Sequence, residues 1–460
     1  MSWRRSIGKV GRTHPKAARA AKWLSSNMGV KRYITTLFIS MLTLMLGFVH
    51  FVWTGSLRWV ATSWILFFNR FTDPTILPLW AVGFIVIVLS LATAIWSIIM
   101  LNRSVLRSSG VVLEDVADRI YASRVLGRGP RIVTIGGGTG LSNLLSGLKQ
   151  YSSNLTALVA VTDDGGSSGK LRKDLGMIAP GDLTDCYAAL SDSPVLAKLL
   201  LHRFSRGEGL EGHTFGNLLL ATLSEERGTL EDAISDVNQV LRVRGQVLPA
   251  TFESALLVSH LEDGSVIYGE SKLGQERKGR RVQRMSLIPP DVRTLPQVLE
   301  ALEKAEAIVI GPGSLLTSLI PAILVPEVGA AIRRSSAPLI LVANLFSEAG
   351  ETDGLDLEGH HRLLEQHLGR PANWVLVNSS PVDAHTLARY HAEGASLLTE
   401  EGASSEFKAR LRYAPLLEEG GQHQPELLAR ALMDLMPRTG LLGLGTRELE
   451  RDKEKEKVEA

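Results

Sequence analysis

Two stretches of this chain, Tyr33 to Thr54 and Pro74 to Leu101, contain no Asp, Glu, Lys or Arg. At about 1.5 Å of rise per residue, roughly 20 apolar residues cross the hydrocarbon core of a bilayer, so each stretch is long enough to span it. A long apolar run can also be a buried core helix. Two in succession, joined by a connector containing Trp59, Trp64, Phe67 and Phe68, favour spanning, because aromatic rings collect at membrane interfaces. A cleaved signal peptide fits poorly: the apolar core is too long, starts late, and is not followed by a small-residue cleavage pattern.

Charge sets the expected orientation. Arg4, Arg5, Lys9, Arg12, Lys16, Arg19, Lys22, Lys31 and Arg32 precede the first stretch, and Arg103 and Arg107 follow the second. The connector has only two bases, Arg58 and Arg70. Both termini are therefore expected in the cytoplasm, in a multi-pass protein of the cell membrane. Residues 1–107 hold 13 Lys and Arg against one acid, Asp73, a balance of +12, whereas residues 108–460 hold 37 against 47, a balance of −10. The near-neutral total of +2 thus averages two unlike parts. A basic arm abutting a membrane segment serves topology and anionic lipid, and the acidic remainder argues against a nucleic-acid partner. The single cysteine, Cys186, excludes an intramolecular disulfide and any cysteine-rich zinc site.

The expected organisation is a basic arm over 1–32, two transmembrane helices with a short connector over 33–101, a juxtamembrane linker over 102–129 with a helix at Val111–Val125, a soluble domain over 130–440, and a charged, solvated tail over 441–460. Within 130–440, short β-branched runs alternate with longer helical patterns. Strands are predicted at Arg131–Ile135, Leu155–Thr162, Ala307–Ile310, Pro338–Ala343 and Trp374–Val377. Helices are predicted at Leu141–Gln150, Pro194–Phe204, Asn217–Leu223, Leu230–Leu241, Leu295–Ala305 and His360–Leu368. Continuously apolar strands alternating with helices predict an α/β fold: a Rossmann-like, doubly wound, mainly parallel sheet. Between Gly245 and Ile288 the texture changes to short strands around a Glu262-Asp263-Gly264 turn, which predicts an antiparallel insertion or edge meander.

The strongest chemical signal follows the first of these strands. Gly136, Gly137, Gly138, Thr139 and Gly140 link a β-branched run to a helical pattern. Glycine allows positive φ and close backbone approach, and a helix N-terminus offers unpaired N–H groups to an anion, so phosphate binding is expected here. The spacing matches neither the dinucleotide fingerprint nor a Walker A loop. A second loop ends the next strand: Asp163, Asp164, Gly165, Gly166, Ser167, Ser168, Gly169 and Lys170, with Arg172 beyond. Its carboxylates can take ribose or sugar hydroxyls or a divalent cation, or can simply cap the turn. Asp182, after Pro180-Gly181, reads equally as a ligand residue or a helix N-cap. His213 and Asn217 open another helix in Gly-His-Thr-Phe-Gly-Asn, and Gly311, Gly313, Ser314 and Thr317 form a third strand–glycine–helix junction. His360, His361 and His367 lack the i, i+4 spacing of a helical zinc pair and are expected at the surface. No metal centre and no catalytic residue is assigned.

Six motifs in this order, Gly136-Gly-Gly-Thr-Gly-Leu-Ser, Asp163-Asp-Gly-Gly-Ser-Ser-Gly, Pro180-Gly-Asp182, Gly212-His-Thr-Phe-Gly-Asn217, Gly311-Pro-Gly-Ser-Leu-Leu-Thr-Ser-Leu-Ile-Pro321 and Ala349-Gly-Glu-Thr-Asp-Gly354, resemble the gluconeogenesis factor family (YvcK-like) within the YvcK/CofD superfamily. The resemblance spans roughly residues 130–435, and the N-terminal hairpin is atypical of it. It implies a Rossmann-like domain that binds a UDP-sugar, UDP-N-acetylglucosamine above all, and a regulatory role in carbon metabolism, cell wall synthesis and cell shape, with wall-synthesis proteins as partners. The sister branch, the 2-phospho-L-lactate transferases, implies the alternative: a phosphotransferase using a nucleotide-linked donor and magnesium. Two positions depart from the family pattern. Gly-Asp-Ile-Arg-Asn-Cys reads Gly181-Asp-Leu-Thr-Asp185-Cys here, and Thr-Gln-Pro before Gly-Glu-Thr reads Ser347-Glu348-Ala349. A homo-oligomer is compatible with the sequence but is not marked by any heptad.

Overall fold

The computed structural model describes residues 31–51, 62–63, 66–67, 70, 79–108, 125–241, 243–417 and 421–436. The basic arm before Lys31, most of the connector, the helix expected from Val111 and the charged tail lie outside the described residues. The chain divides into two compact units, Met1–Tyr121 and Ala122–Ala460.

In the first unit, helices Lys31–Phe51 and Leu79–Ser108 pack along one another. The Ser90 hydroxyl donates to Thr43 Oγ1 at 2.9 Å, and Tyr33 meets Trp96 edge-on with ring centroids 6.1 Å apart. Phe38, Met41, Met45, Phe84, Leu89 and Ile95 point outward, so the apolar surface faces away from the partner helix. Among the described residues, Gly83–Leu101 is long and apolar enough to cross a membrane, with a mean hydropathy of 2.6. Arg32–Met45 is a shorter apolar helix.

The second unit is built on a seven-stranded sheet. In chain order the strands of this unit are β1 (Ile132–Gly136), β2 (Leu155–Val159), β3 (Gln246–Pro249), β4 (Leu256–Leu261), β5 (Val266–Tyr268), β6 (Val282–Ile288), β7 (Ala307–Ile310), β8 (Leu339–Val342), β9 (Trp374–Asn378) and β10 (Leu411–Ala414). The sheet order is β10-β9-β8-β7-β1-β2-β3, and every neighbouring pair is parallel. Alternate residues serve opposite faces: Val133 and Ile135 join one core with Ile308 and Ile310, while Ile132 joins a second with Ala307 and Val309. Both faces are covered by helices, which is why the central strands read as unbroken apolar runs.

The antiparallel segment is confirmed only in part. β4 pairs with β5 and β6 in a separate antiparallel sheet, and the turn closes through Gly264 N–H to the Leu261 carbonyl. Its first strand, β3, instead extends the main sheet in parallel with β2. The chain builds outward from β1 through β2 to β3, then returns to β7 on the other side of β1. The strand order therefore reverses between β1 and β7, and a crevice opens at such a switch point beyond the carboxyl ends of the strands.

Candidate functional site at the strand switch point

The loops leaving β1 and β7 meet across that crevice. Gly138 adopts φ +63° as helix Gly138–Leu148 begins. An ideal β-carbon on Gly140 would stand 2.5 Å from the Pro312 carbonyl oxygen, so only glycine lets the two loops touch. Asn344, just past β8, clamps the second loop from behind: its amide donates to the Gly313 carbonyl at 2.8 Å, and its oxygen accepts from Gly313 N–H at 3.1 Å.

Asp182 projects into the β1 loop from helix Gly181–Leu190. Its helix is capped by Pro180, so Asp182 is a first-turn residue and not the N-cap. Its carboxyl group fills the space a side chain on Gly137 would need, and it accepts a hydrogen bond from Gly138 N–H. A first N–H of the helix, the kind of donor expected to face phosphate, is thus already engaged by a protein carboxyl. Burial first, then the charges of Asp185 and Asp163, push Asp182 up to about 7. Burial likewise raises Asp185 to about 6 against the pull of Arg203.

The β2 loop forms the adjoining wall. Asp163 accepts from Gly165 N–H at 2.8 Å, an Asx turn that starts helix Gly166–Leu175. Asp164 accepts from Ser271 N–H at 2.8 Å and so ties this loop to the segment after β5. Ser167 is the centre of a buried relay: Asn217 Nδ2 donates to Ser167 Oγ at 3.0 Å, and Ser167 Oγ lies 2.9 Å from His213 Nδ1. Thr184 donates to Asn217 Oδ1 at 3.0 Å, fixing that amide. The Ser168 hydroxyl lies against the face of Gly181, where a side chain would collide with it. Lys170 is exposed, while Arg172 is spent on the carbonyls of Thr162 and Ala255.

The late loop carries a tight group of oxygens. Ser314 Oγ lies 2.6 Å from Glu348 Oε2 and 2.6 Å from Glu351 Oε2, and Thr317 Oγ1 is 3.5 Å from the latter. Burial and then the Glu351 charge push Glu348 up to about 7. Glu270, bonded to Thr162 at 3.1 Å, is raised to about 9, chiefly by burial and then by Asp163. Asp182, Asp185, Glu270 and Glu348 are therefore held toward their neutral forms, which lowers the electrostatic cost of an anionic ligand.

Between these loops lies a cavity of about 190 Å³ lined by Thr139, Asn143, Pro312, Phe346, Glu348, Tyr390 and His423, among others. Phe346 and Tyr390 stack with centroids 4.1 Å apart and planes 7° from parallel. His423 is 8% exposed, its Nε2 has no hydrogen-bond partner, and burial lowers it to about 4. A planar ligand with hydrogen-bonding edges matches that lining.

The fold brings the predicted Gly136–Gly140, Asp163, Asp182, Gly311, Gly313, Ser314 and Thr317 to this end of the sheet, and Ser167, Ser168 and Asn217 to the wall behind it. Sequence reasoning missed Glu270, Glu348, Phe346, Tyr390 and His423 as site residues. They lie on distant segments with no glycine signature, although the departure at Glu348 was a visible signal. It also misplaced two histidines. His360 and His361 are buried, at 6% and 4% exposure, because helix Leu357–Leu368 turns that face inward, with His361 against the Phe407 ring. His361 Nε2 accepts from Ala372 N–H, and the half-buried His367 accepts from Met285 N–H.

The fold and these loops have known counterparts. The family model for 2-phospho-L-lactate transferase CofD matches residues 132–416. A Deinococcus radiodurans protein, provisionally named a gluconeogenesis factor, is 52% identical over 421 residues, 91% of this chain and 90% of its own. The gluconeogenesis factor of Bacillus subtilis is 40% identical over 272 residues, 59% of this chain and 85% of its own. The chain belongs to the gluconeogenesis factor family, within the YvcK/CofD superfamily. A crystal structure of a Bacillus halodurans protein superposes with a TM-score of 0.63 at 39% identity, covering 66% of this chain and all of that one. The match to the Deinococcus relative is too long to be confined to the unit Ala122–Ala460. The Bacillus subtilis and Bacillus halodurans proteins, by contrast, cover 59% and 66% of this chain with 85% and all of their own length.

Proposed function

We propose that this protein is a membrane-anchored regulator that binds a UDP-sugar, UDP-N-acetylglucosamine first, at the strand switch point. The observation that carries the reading is the meeting of the β1 and β7 glycine loops beside a cavity with a stacked aromatic pair. In this reading the backbone of Gly136–Gly140, with Gly165–Ser168 beside it, receives the diphosphate. Asp163 or Asp164 takes ribose or sugar hydroxyls, and Gly313–Thr317 closes the site. The base enters the cavity bounded by Phe346, Tyr390 and His423. Lys170 and the helix N-termini supply local positive potential in an otherwise acidic unit. The helix pair Lys31–Phe51 and Leu79–Ser108 forms the two-helix anchor, with the soluble unit in the cytoplasm, where ligand binding regulates carbon metabolism, wall synthesis and cell shape through wall-synthesis proteins.

Titrating the full-length protein in detergent or nanodiscs with UDP-N-acetylglucosamine, alongside GDP- and CDP-linked compounds, tests the reading by heat and thermal shift. Saturable binding of the UDP-sugar is expected. No heat and no shift would sink it.

The match to the transferase family favours a second reading, a phosphotransferase with a nucleotide-linked donor and magnesium. Its cation would call on Asp163, Asp164 and Asp182. Among the described residues no three of His, Cys, Asp and Glu are arranged to hold a metal ion, and Asp163 and Asp164 each commit an oxygen to backbone N–H groups. The residues present do not make a ready magnesium site. Magnesium-dependent release of a nucleoside monophosphate from a donor would establish this reading over the first.

A further inference from the structure

The oxygens around Ser314 do not balance if every acid is ionised. Ser314 has one hydroxyl proton, yet its oxygen is 2.6 Å from a carboxyl oxygen of both Glu348 and Glu351. With both ionised, one of those oxygens would face the serine lone pairs at that distance, and the two carboxylates would face each other. A second proton on the pair resolves both conflicts. Among the described residues no cation pairs with either carboxyl: of the bases lining the neighbouring pocket beside Glu351, Arg277 is committed to Asp353 and to the Gly350 carbonyl, and Arg362 to Glu358.

Glu348 also lines the ligand cavity, across from Tyr390 and His423. His423 offers an unpartnered buried nitrogen there, so the cavity is built for a polar ligand edge. The groups facing the pair are Ser314 and Thr317 from the β7 loop, Glu351 from its own loop, Glu270, whose charge interaction with Glu351 crosses the crevice, and Tyr390 and His423 on the far wall. On the Glu351 side the neighbouring pocket adds Arg277, Arg281 and Arg362, none of them ion-paired to Glu348 or Glu351 among the described residues.

We infer that Glu348 is a specificity-determining residue that acts as a neutral carboxylic acid, sharing a proton with Glu351 through Ser314, so that an anionic nucleotide ligand binds only the protonated pair. The inference rests on the proposed UDP-sugar reading of the same site. Burial, raising Glu348 to about 7, is consistent with it.

The test compares wild-type protein with Glu348→Gln, which keeps the shape and a donor but has no proton to lose. UDP-N-acetylglucosamine is titrated into full-length protein between pH 6 and 9, a range over which its diphosphate keeps its charge. Asp182 and Glu270 titrate in both proteins, so the ratio of the two Kd values isolates Glu348. Wild-type Kd divided by variant Kd is expected to be flat at the acid end and to rise about tenfold per pH unit above about pH 7. A ratio constant across the range overturns the inference.

Thermal unfolding without ligand keeps the outcome readable if the nucleotide does not bind. The stability advantage of E348Q over wild type is expected to widen from pH 5 to pH 8. Widening with no binding overturns the UDP-sugar reading and the recognition role, and confirms only the proton. A constant gap overturns the shared proton itself.

Discussion

The carboxyl group of Asp182 occupies the space that a side chain on Gly137 would fill, and it accepts the N–H of the next residue, Gly138. One buried acid thereby shapes the loop in which the sequence signals an anion site. Gly137→Ala must displace Asp182 or bend the loop. It is expected to cost about 1–3 kcal/mol of stability, the usual range for overpacking, and to abolish nucleotide-sugar binding. Denaturant unfolding and calorimetric titration check the two effects separately.

Asp182 also predicts a pH response. Its folded value, about 7, lies above the ordinary carboxylate value of 3.8. An acid with a raised folded value favours folding when protonated, so its contribution is lost as pH rises from about 4 through about 7. Asp182→Asn is expected to flatten the stability profile over that window, gaining on wild type as pH increases. Equal slopes for both proteins would show that Asp182 ionises normally.

Gly140 and Pro312 fix the spacing of the crevice. Gly140→Val, with no room beside the Pro312 carbonyl, is expected to push the β1 and β7 loops apart and lower the melting temperature by several degrees. Ser142→Ala, a change on the next turn at a side chain that bonds only its own helix backbone, should leave the melting temperature nearly unchanged.

The aromatic pair predicts a selective loss. Tyr390→Ala removes the ring stacked 4.1 Å from Phe346 and is expected to weaken UDP-sugar binding roughly tenfold or more, as stacking on a base contributes about 1–3 kcal/mol. The readout is the Kd for UDP-N-acetylglucosamine against that for free N-acetylglucosamine 1-phosphate, which lacks the base and should change little.

The N-terminal unit gives the last prediction. Deleting residues 1–108 is expected to release the protein from the membrane fraction into the soluble fraction on cell fractionation. Retention of the shortened protein in the membrane would remove the anchoring role of helices Lys31–Phe51 and Leu79–Ser108.

Much of the scaffold was legible because its signals are local. Short, largely apolar runs mark β1, β7, β8 and β9, since strands buried on both faces have no polar side. Glycines at 136–140 and 311–313 mark the loops, since close approach of two backbones leaves no alternative residue. β10 was missed, because at the sheet edge it keeps Arg412 and an exposed Tyr413, and β3 was assigned to the antiparallel segment, because its parallel pairing with β2 is a tertiary contact across more than 80 positions. His360 and His361 were misplaced because a polar side chain on a helix reveals nothing about which way the helix faces.

The sequence by itself determined the two-part character of the chain, its parallel sheet and the order of its glycine loops, all of which follow from residue type and spacing over a few turns. Only the tertiary structure decided which loops meet and which acids share a proton. Asp182, Glu270 and Glu348 are scattered over more than 160 positions, and their altered ionisation arises from burial beside one another, a property no single segment carries.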